Sequence, residues 1–188
     1  MLKTDTTYWR SFAVGIGLIM AMTYTSKAQT VYGTTNGVVQ ITGLWNDSSF
    51  TARSNQLGVI LNYETAAFQL RLDKSTLVTG IDSLDKLLSQ STGHIMHYEG
   101  TLGIEYIKTQ KHPPLDFDVE GFLTCNPHYE RLAGKGRLVH IFGDYYSCIL
   151  NLTFHINLKE TDLGINLPGL SDDIHVEIVQ TVLKPDNE

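Results

Sequence analysis

From Cys148 to Leu158 the sequence alternates. Cys148, Leu150, Leu152, Phe154, Ile156 and Leu158 fall on one side, and Asn151, Thr153, His155 and Asn157 on the other. Only Ile149 interrupts the polar set. A period of two held this long marks an extended strand with one dry and one wet face. Such a strand cannot stand alone, because its dry face has to meet other dry faces.

The same period recurs along the chain. Leu57, Val59, Leu61 and Tyr63 alternate, as do Phe68, Leu70 and Leu72, and Ile174, Val176 and Ile178. Leu115-Asp116-Phe117-Asp118-Val119-Glu120 alternates with carboxylates outward. Shorter strands are expected at 37–42, 50–53, 134–142 and 161–166. Turn residues separate them at Asn62–Thr65, Asn126-Pro127 and Gly143-Asp144, spacing that suits hairpins. One stretch departs from this period. Ile81, Leu84, Leu87 and Leu88 have helical spacing, with Asp82 as a candidate N-cap. Leu102, Tyr106 and Ile107 suggest a second helical turn. The expectation is therefore a helical insert of about thirty residues, with about five strands before it and four or five after.

Strands this long, wet on one side, either close into a barrel or stack as two sheets. A sandwich of this length usually shows shorter strands and more frequent turns, so the pattern favours an antiparallel β-barrel of about eight strands. Hairpins at Pro127 and Gly143 would bring residue 148 level with about residue 118. Cys125 then lies ~23 Å along the axis at ~3.3 Å per residue, far beyond disulfide reach. Both cysteines are expected to be free thiols. A three-residue loop at 143–145 would pair Leu138 with Leu150 and His140 with Cys148. That register makes His140 either a satisfied core histidine or a polar handle for a ligand.

The start of the chain reads as an address. Lys3 and Arg10 precede an apolar run from Phe12 to Met22, and Ser26-Lys27-Ala28 offers a small-x-small exit. Residues 1–28 are expected to be a secretory signal peptide cleaved near Ala28, leaving 29–188 as one domain in the periplasm or outside the cell. The run falls short of the ~20 residues that span a bilayer, so no stable membrane anchor is expected after cleavage. The full chain carries a net charge of −6. Removing three bases and one acid (Asp5) with the leader makes the remainder more negative still. That sign, with no Lys/Arg cluster, argues against nucleic acid as a partner.

Candidate chemistry is sparse. His94 and His97 could share a helical face and begin a metal site, with Glu99 and Glu105 nearby, but no recognisable ligand spacing follows. They read more simply as solvated linker histidines. Asp116, Asp118 and Glu120 are too evenly spread for a catalytic pair and read as a solvated face. No Gly-x-Ser-x-Gly elbow occurs, and Gly134-Lys135-Gly136 lacks the helix of a phosphate loop. Asn46-Asp47-Ser48 and Asn151-Leu152-Thr153 fit the glycosylation sequon, the second in mid-strand. No catalytic group, metal or cofactor is called for.

Several stretches together resemble the YceI-like family, exported bacterial proteins with a lipocalin-shaped barrel. Ser54–Thr65 followed by Phe68-Gln69-Leu70 resembles its early hairpin. Tyr106-Ile107-Lys108, Lys111-His112-Pro113 and Leu115–Leu123 resemble its insert and the strand after it. Gly136-Arg137-Leu138 to Gly143 resembles its Gly-x-Leu strand, and Asp162–Pro168 with Ile174–Leu183 its closing pair. The resemblance implies a non-catalytic binding protein that holds an amphiphilic lipid, often an isoprenoid, inside the barrel. The expected lining is Leu57 and Val59, Phe68 and Leu70, Phe117 and Val119, Leu138 and His140, then Leu150, Leu152, Phe154 and Ile178. Two rivals stand beside it: a metal-dependent enzyme using His94 and His97, and an interaction module with a filled core.

Overall fold

A computed structural model describes residues 31–90, 95–107, 113–141 and 147–185. The expected leader, His94, His112 and the Gly143-Asp144 turn lie outside the described residues. Eight strands close on themselves, each hydrogen-bonded antiparallel to the next and the last to the first. They are β1 (Val31–Trp45), β2 (Ser48–Asn62), β3 (Ala67–Asp73), β4 (Ile95–Leu102), β5 (Leu115–Cys125), β6 (His128–Ile141), β7 (Ser147–Asn157) and β8 (Asp173–Pro185). Among the described residues one α-helix, α1 (Asp82–Gln90), sits between β3 and β4, after a single 3-10 turn at Lys74–Thr76. Closure leaves no open sheet edge and encloses every dry face in one interior.

The alternation in the sequence becomes the inside and outside of the wall. On β7 the even-numbered side chains face inward: Cys148, Leu150, Leu152 and Phe154 are all at most 3% exposed. On β5 the carboxylates of Asp116, Asp118 and Glu120 point outward, where Arg137 and Arg131 meet Asp116 at 3.7 Å and Glu120 at 2.6 Å. The pairs Leu138–Leu150 and His140–Cys148 stand opposite each other in the β6–β7 ladder, the register expected from the sequence.

Four expectations need correction. Residues 50–53 and 57–62 belong to one strand, β2, which runs unbroken to Asn62, and Tyr63 lies in the turn after it. Residues 161–166 are irregular, because this segment crosses the barrel end instead of lining its wall. The thirty-residue insert is smaller than expected, and its second half is strand β4, so three strands precede α1 and five follow it. Tyr106 and Ile107 follow β4 in an irregular connection, with Ile107 N–H bonded to the Tyr63 carbonyl at 2.8 Å. The physical reason lies at Gly100. The inward positions of β4 are Met96, Tyr98, Gly100 and Leu102, and a glycine among them erases the apolar period.

The cysteines are both free and both buried. Cys125 faces His128 at one end of β6, and Cys148 faces His140 at the other. Their separation is thus larger than the sequence estimate, because Cys148 comes level with the start of β5 and not with residue 118.

The two barrel ends differ. At one end lie the β2–β3 turn, the start of β1 and the end of β8. At the other, here called the mouth, the β1–β2 hairpin turns through Asn46 (φ 49°) and Asp47 (φ 63°), residue types that tolerate the left-handed region. Residues 158–170 cross beside it. They are pinned by Trp45 Nε1 donating to the Pro168 carbonyl (2.9 Å) and Asn46 N–H to the Gly169 carbonyl (2.8 Å).

Candidate functional site, an apolar cavity at the barrel mouth

The interior is not filled evenly. Leu61, Val59, Val119, Leu138, Leu150, Leu152, Cys148 and Leu183 are essentially without solvent contact, and all lie in the half remote from the mouth. Toward the mouth the packing opens into a cavity of about 410 Å³. A smaller space of about 80 Å³ lies deeper, and the two share Ile41, Met96, Ile156 and Val176 as walls.

The roof of the larger space is built from two elements. Helix α1 turns Leu84, Leu87 and Leu88 toward it, and Ile165, Leu167 and Leu170 approach from the crossing segment. The helix is tied down before it begins. Asp85 accepts from the Thr79 hydroxyl (2.6 Å) and from the backbone N–H groups of Thr79 (2.7 Å) and Gly80 (3.2 Å). Burial tends to raise the Asp85 pKa, but those hydrogen bonds outweigh it and hold the carboxyl below its ordinary value. Asp82 is the first residue of the helix, so this anchoring role falls to Asp85. The link from β3 is fixed to the wall as well, by paired backbone bonds between Arg53 and Val78 at 2.9 and 3.0 Å.

The lining is greasy inside and polar only at the rim. Lys74, Gln90 and Asn166 contribute side chains to the larger space, and Lys74 is the one charged residue among its described walls. The deeper space is lined by apolar residues and by Tyr98, whose hydroxyl is turned away to donate to the Leu132 carbonyl at 3.0 Å. Burial, with a smaller push from the Glu120 carboxylate, raises the Tyr98 pKa above its usual value, so the phenol stays neutral. Among the described residues Tyr98 is the single titratable group that lines the deeper space.

The twelve expected lining residues divide between the two halves. Leu57, Leu70, Phe154 and Ile178 line the deeper space. Val59, Phe68, Phe117, Val119, Leu138, Leu150 and Leu152 pack the remote half. His140 sits at the remote end, its Nε2 3.3 Å from the Tyr63 hydroxyl, away from the cavity. Sequence reasoning missed Met96, Tyr98 and the leucines of α1. Allowing a glycine to hold an inward position would have found the first two. His97 lies on strand β4 and not on a helix, exposed, opposite Arg71 and Thr124. Among the described residues no three His, Cys, Asp or Glu side chains gather as a metal set.

This barrel, with its lidded mouth, can be set beside known proteins. Its fold is similar to that of a polyisoprenoid-binding domain. The solved structure in question is a polyisoprenoid binding domain from Saccharophagus degradans implicated in plant cell wall breakdown. It superposes with a TM-score of 0.61 at 12% sequence identity, covering 82% of this chain and 97% of that one. At that identity the likeness is one of fold. No family model matches the chain, and no curated protein matches it in sequence.

Proposed function

We propose that this protein belongs with the YceI-like proteins and binds the apolar chain of an amphiphilic lipid, of isoprenoid type, in the mouth-side cavity, as an exported carrier or sequestering protein without a catalytic step. The observation that carries the reading is the cavity itself: about 410 Å³, apolar within, polar only at its rim. Ligand sites are mostly apolar with a few placed polar groups, and their volumes commonly run ~300–1,000 Å³. The fold likeness to a polyisoprenoid-binding domain supports the ligand class.

The energetics are adequate. At about 30 Å³ per water-sized group the larger space takes about fourteen methylenes. Burying them is worth roughly 11 kcal/mol at ~0.8 kcal/mol each, against an association cost of about 4 kcal/mol or more. At the low end of that cost about 7 kcal/mol remains, which corresponds to micromolar binding, and contacts between the lipid head and Lys74, Gln90 or Asn166 would tighten it.

Trp45 stands at the mouth and is the single tryptophan after residue 28, so it reports occupancy. Titration of residues 29–188 with farnesol is expected to give a saturable, one-to-one change in its emission. Ala52→Phe, which grows into the cavity, should weaken that binding at least tenfold. A wild-type protein with no saturable response, and no adduct by native mass spectrometry, would falsify the reading.

A further inference from the structure

Three aromatic rings cross the barrel between its empty and filled halves. Phe68 and Tyr98 stand with centroids 5.4 Å apart, and Tyr98 and Phe154 follow at 5.2 Å. Each of the last two lies against glycine in the wall. A Cβ at Gly100 would come within 2.7 Å of the Tyr98 ring, and one at Gly121 within 2.8 Å. A Cβ at Gly134 would meet the Phe154 ring at 2.5 Å. The missing side chains are what let the rings lie down across the interior, and the bond from Tyr98 to the Leu132 carbonyl fixes the middle one. Tyr98 and Phe154 face the deeper space of about 80 Å³. Behind the row, Val59, Val119 and Leu152 leave no room, at most 1% exposed each.

We propose that Tyr98 and Phe154, laid across the barrel on Gly100, Gly121 and Gly134, form a floor that sets the length of the chain the cavity accepts. The inference deepens the lipid-binding reading and rests on it. A chain entering at the mouth fills about 410 Å³, then about 80 Å³, and stops at the rings. At about 30 Å³ per water-sized group that is about fourteen carbons with two or three more below, close to farnesol and well short of a polyisoprenoid.

The test is a length series of isoprenoid alcohols, geraniol, farnesol, geranylgeraniol and solanesol, each titrated against wild type, Phe154→Leu and Ile178→Phe. Wild type should prefer farnesol to solanesol at least tenfold. Phe154→Leu should move the optimum toward geranylgeraniol, and Ile178→Phe, which fills the deeper space, toward geraniol. Circular dichroism melts identify a variant that fails to fold, and the other then decides. Equal affinity for every length in wild type, or the same length profile in each folded variant, overturns the floor while leaving a lipid site in place. No binding of any alcohol by wild type overturns the lipid reading and the floor with it.

Discussion

Replacing Gly121 by alanine tests whether the glycine and Tyr98 form one packed unit. Gly121 lies directly opposite Gly100 in the β4–β5 ladder. A methyl group at Gly121 would be built 2.3 Å from the Glu99 carbonyl oxygen, 2.6 Å from Gly100 Cα and 2.8 Å from the Tyr98 ring. Two of these obstacles are backbone and cannot swing aside. Either β4 and β5 part locally, weakening ladder bonds worth about 0.5–1.5 kcal/mol each net, or Tyr98 lifts and gives up its bond to Leu132. Overpacking adds about 1–3 kcal/mol. The expected cost is about 2–4 kcal/mol, or a fall in melting temperature of roughly 5–15 °C for a chain this size. Gly58→Ala is the control. Its new Cβ would meet Arg71 Cβ at 3.6 Å, ordinary contact on the outer face, and should be neutral or slightly stabilising. The assay is thermal melting of both variants by circular dichroism at neutral pH. If the two melt within about 2 °C of each other, the packing argument is wrong.

Two further outcomes follow from the titratable groups. Asp85→Asn should cost about 1 kcal/mol in urea melts at neutral pH, since it weakens the anchor of α1. The folded Asp85 pKa is depressed, so its contribution is present above the unfolded value of about 3.9 and is lost as pH falls through the folded value; a gap between wild type and variant that persists in strong acid would contradict this. Burial pushes the Cys148 thiol up to about 11 against an opposing hydrogen bond from Tyr63, and burial raises Cys125 too. Iodoacetamide at pH near 8 should therefore spare both thiols in the native protein and label both in denaturant, and rapid native labelling of Cys148 would show that the remote half opens.

The barrel was legible in the sequence wherever inward positions carried apolar side chains. β7 announced itself through Cys148 to Phe154, and its register with β6 followed from the three-residue loop expected at 143–145. β4 was hidden, because alternation is a statement about side chains and Gly100 has none. The site was half legible for a related reason. Alternation tells which residues face inward, but not how far along the axis the interior is filled. Leu150 and Phe154 look alike in sequence, yet one is packed in the remote half and the other borders the cavity. That distinction comes from shear, ring orientation and the glycines opposite, all properties of three or more strands at once.

Val31 pairs with Asn62, and Tyr32 with Pro185, at the end opposite α1. Whatever is joined ahead of Val31 or behind Pro185 therefore departs from the base of the barrel. A protein held on a bead or sensor chip at either of these strand ends would present the mouth to the bulk solution, so the binding titrations proposed above can be run on immobilised protein.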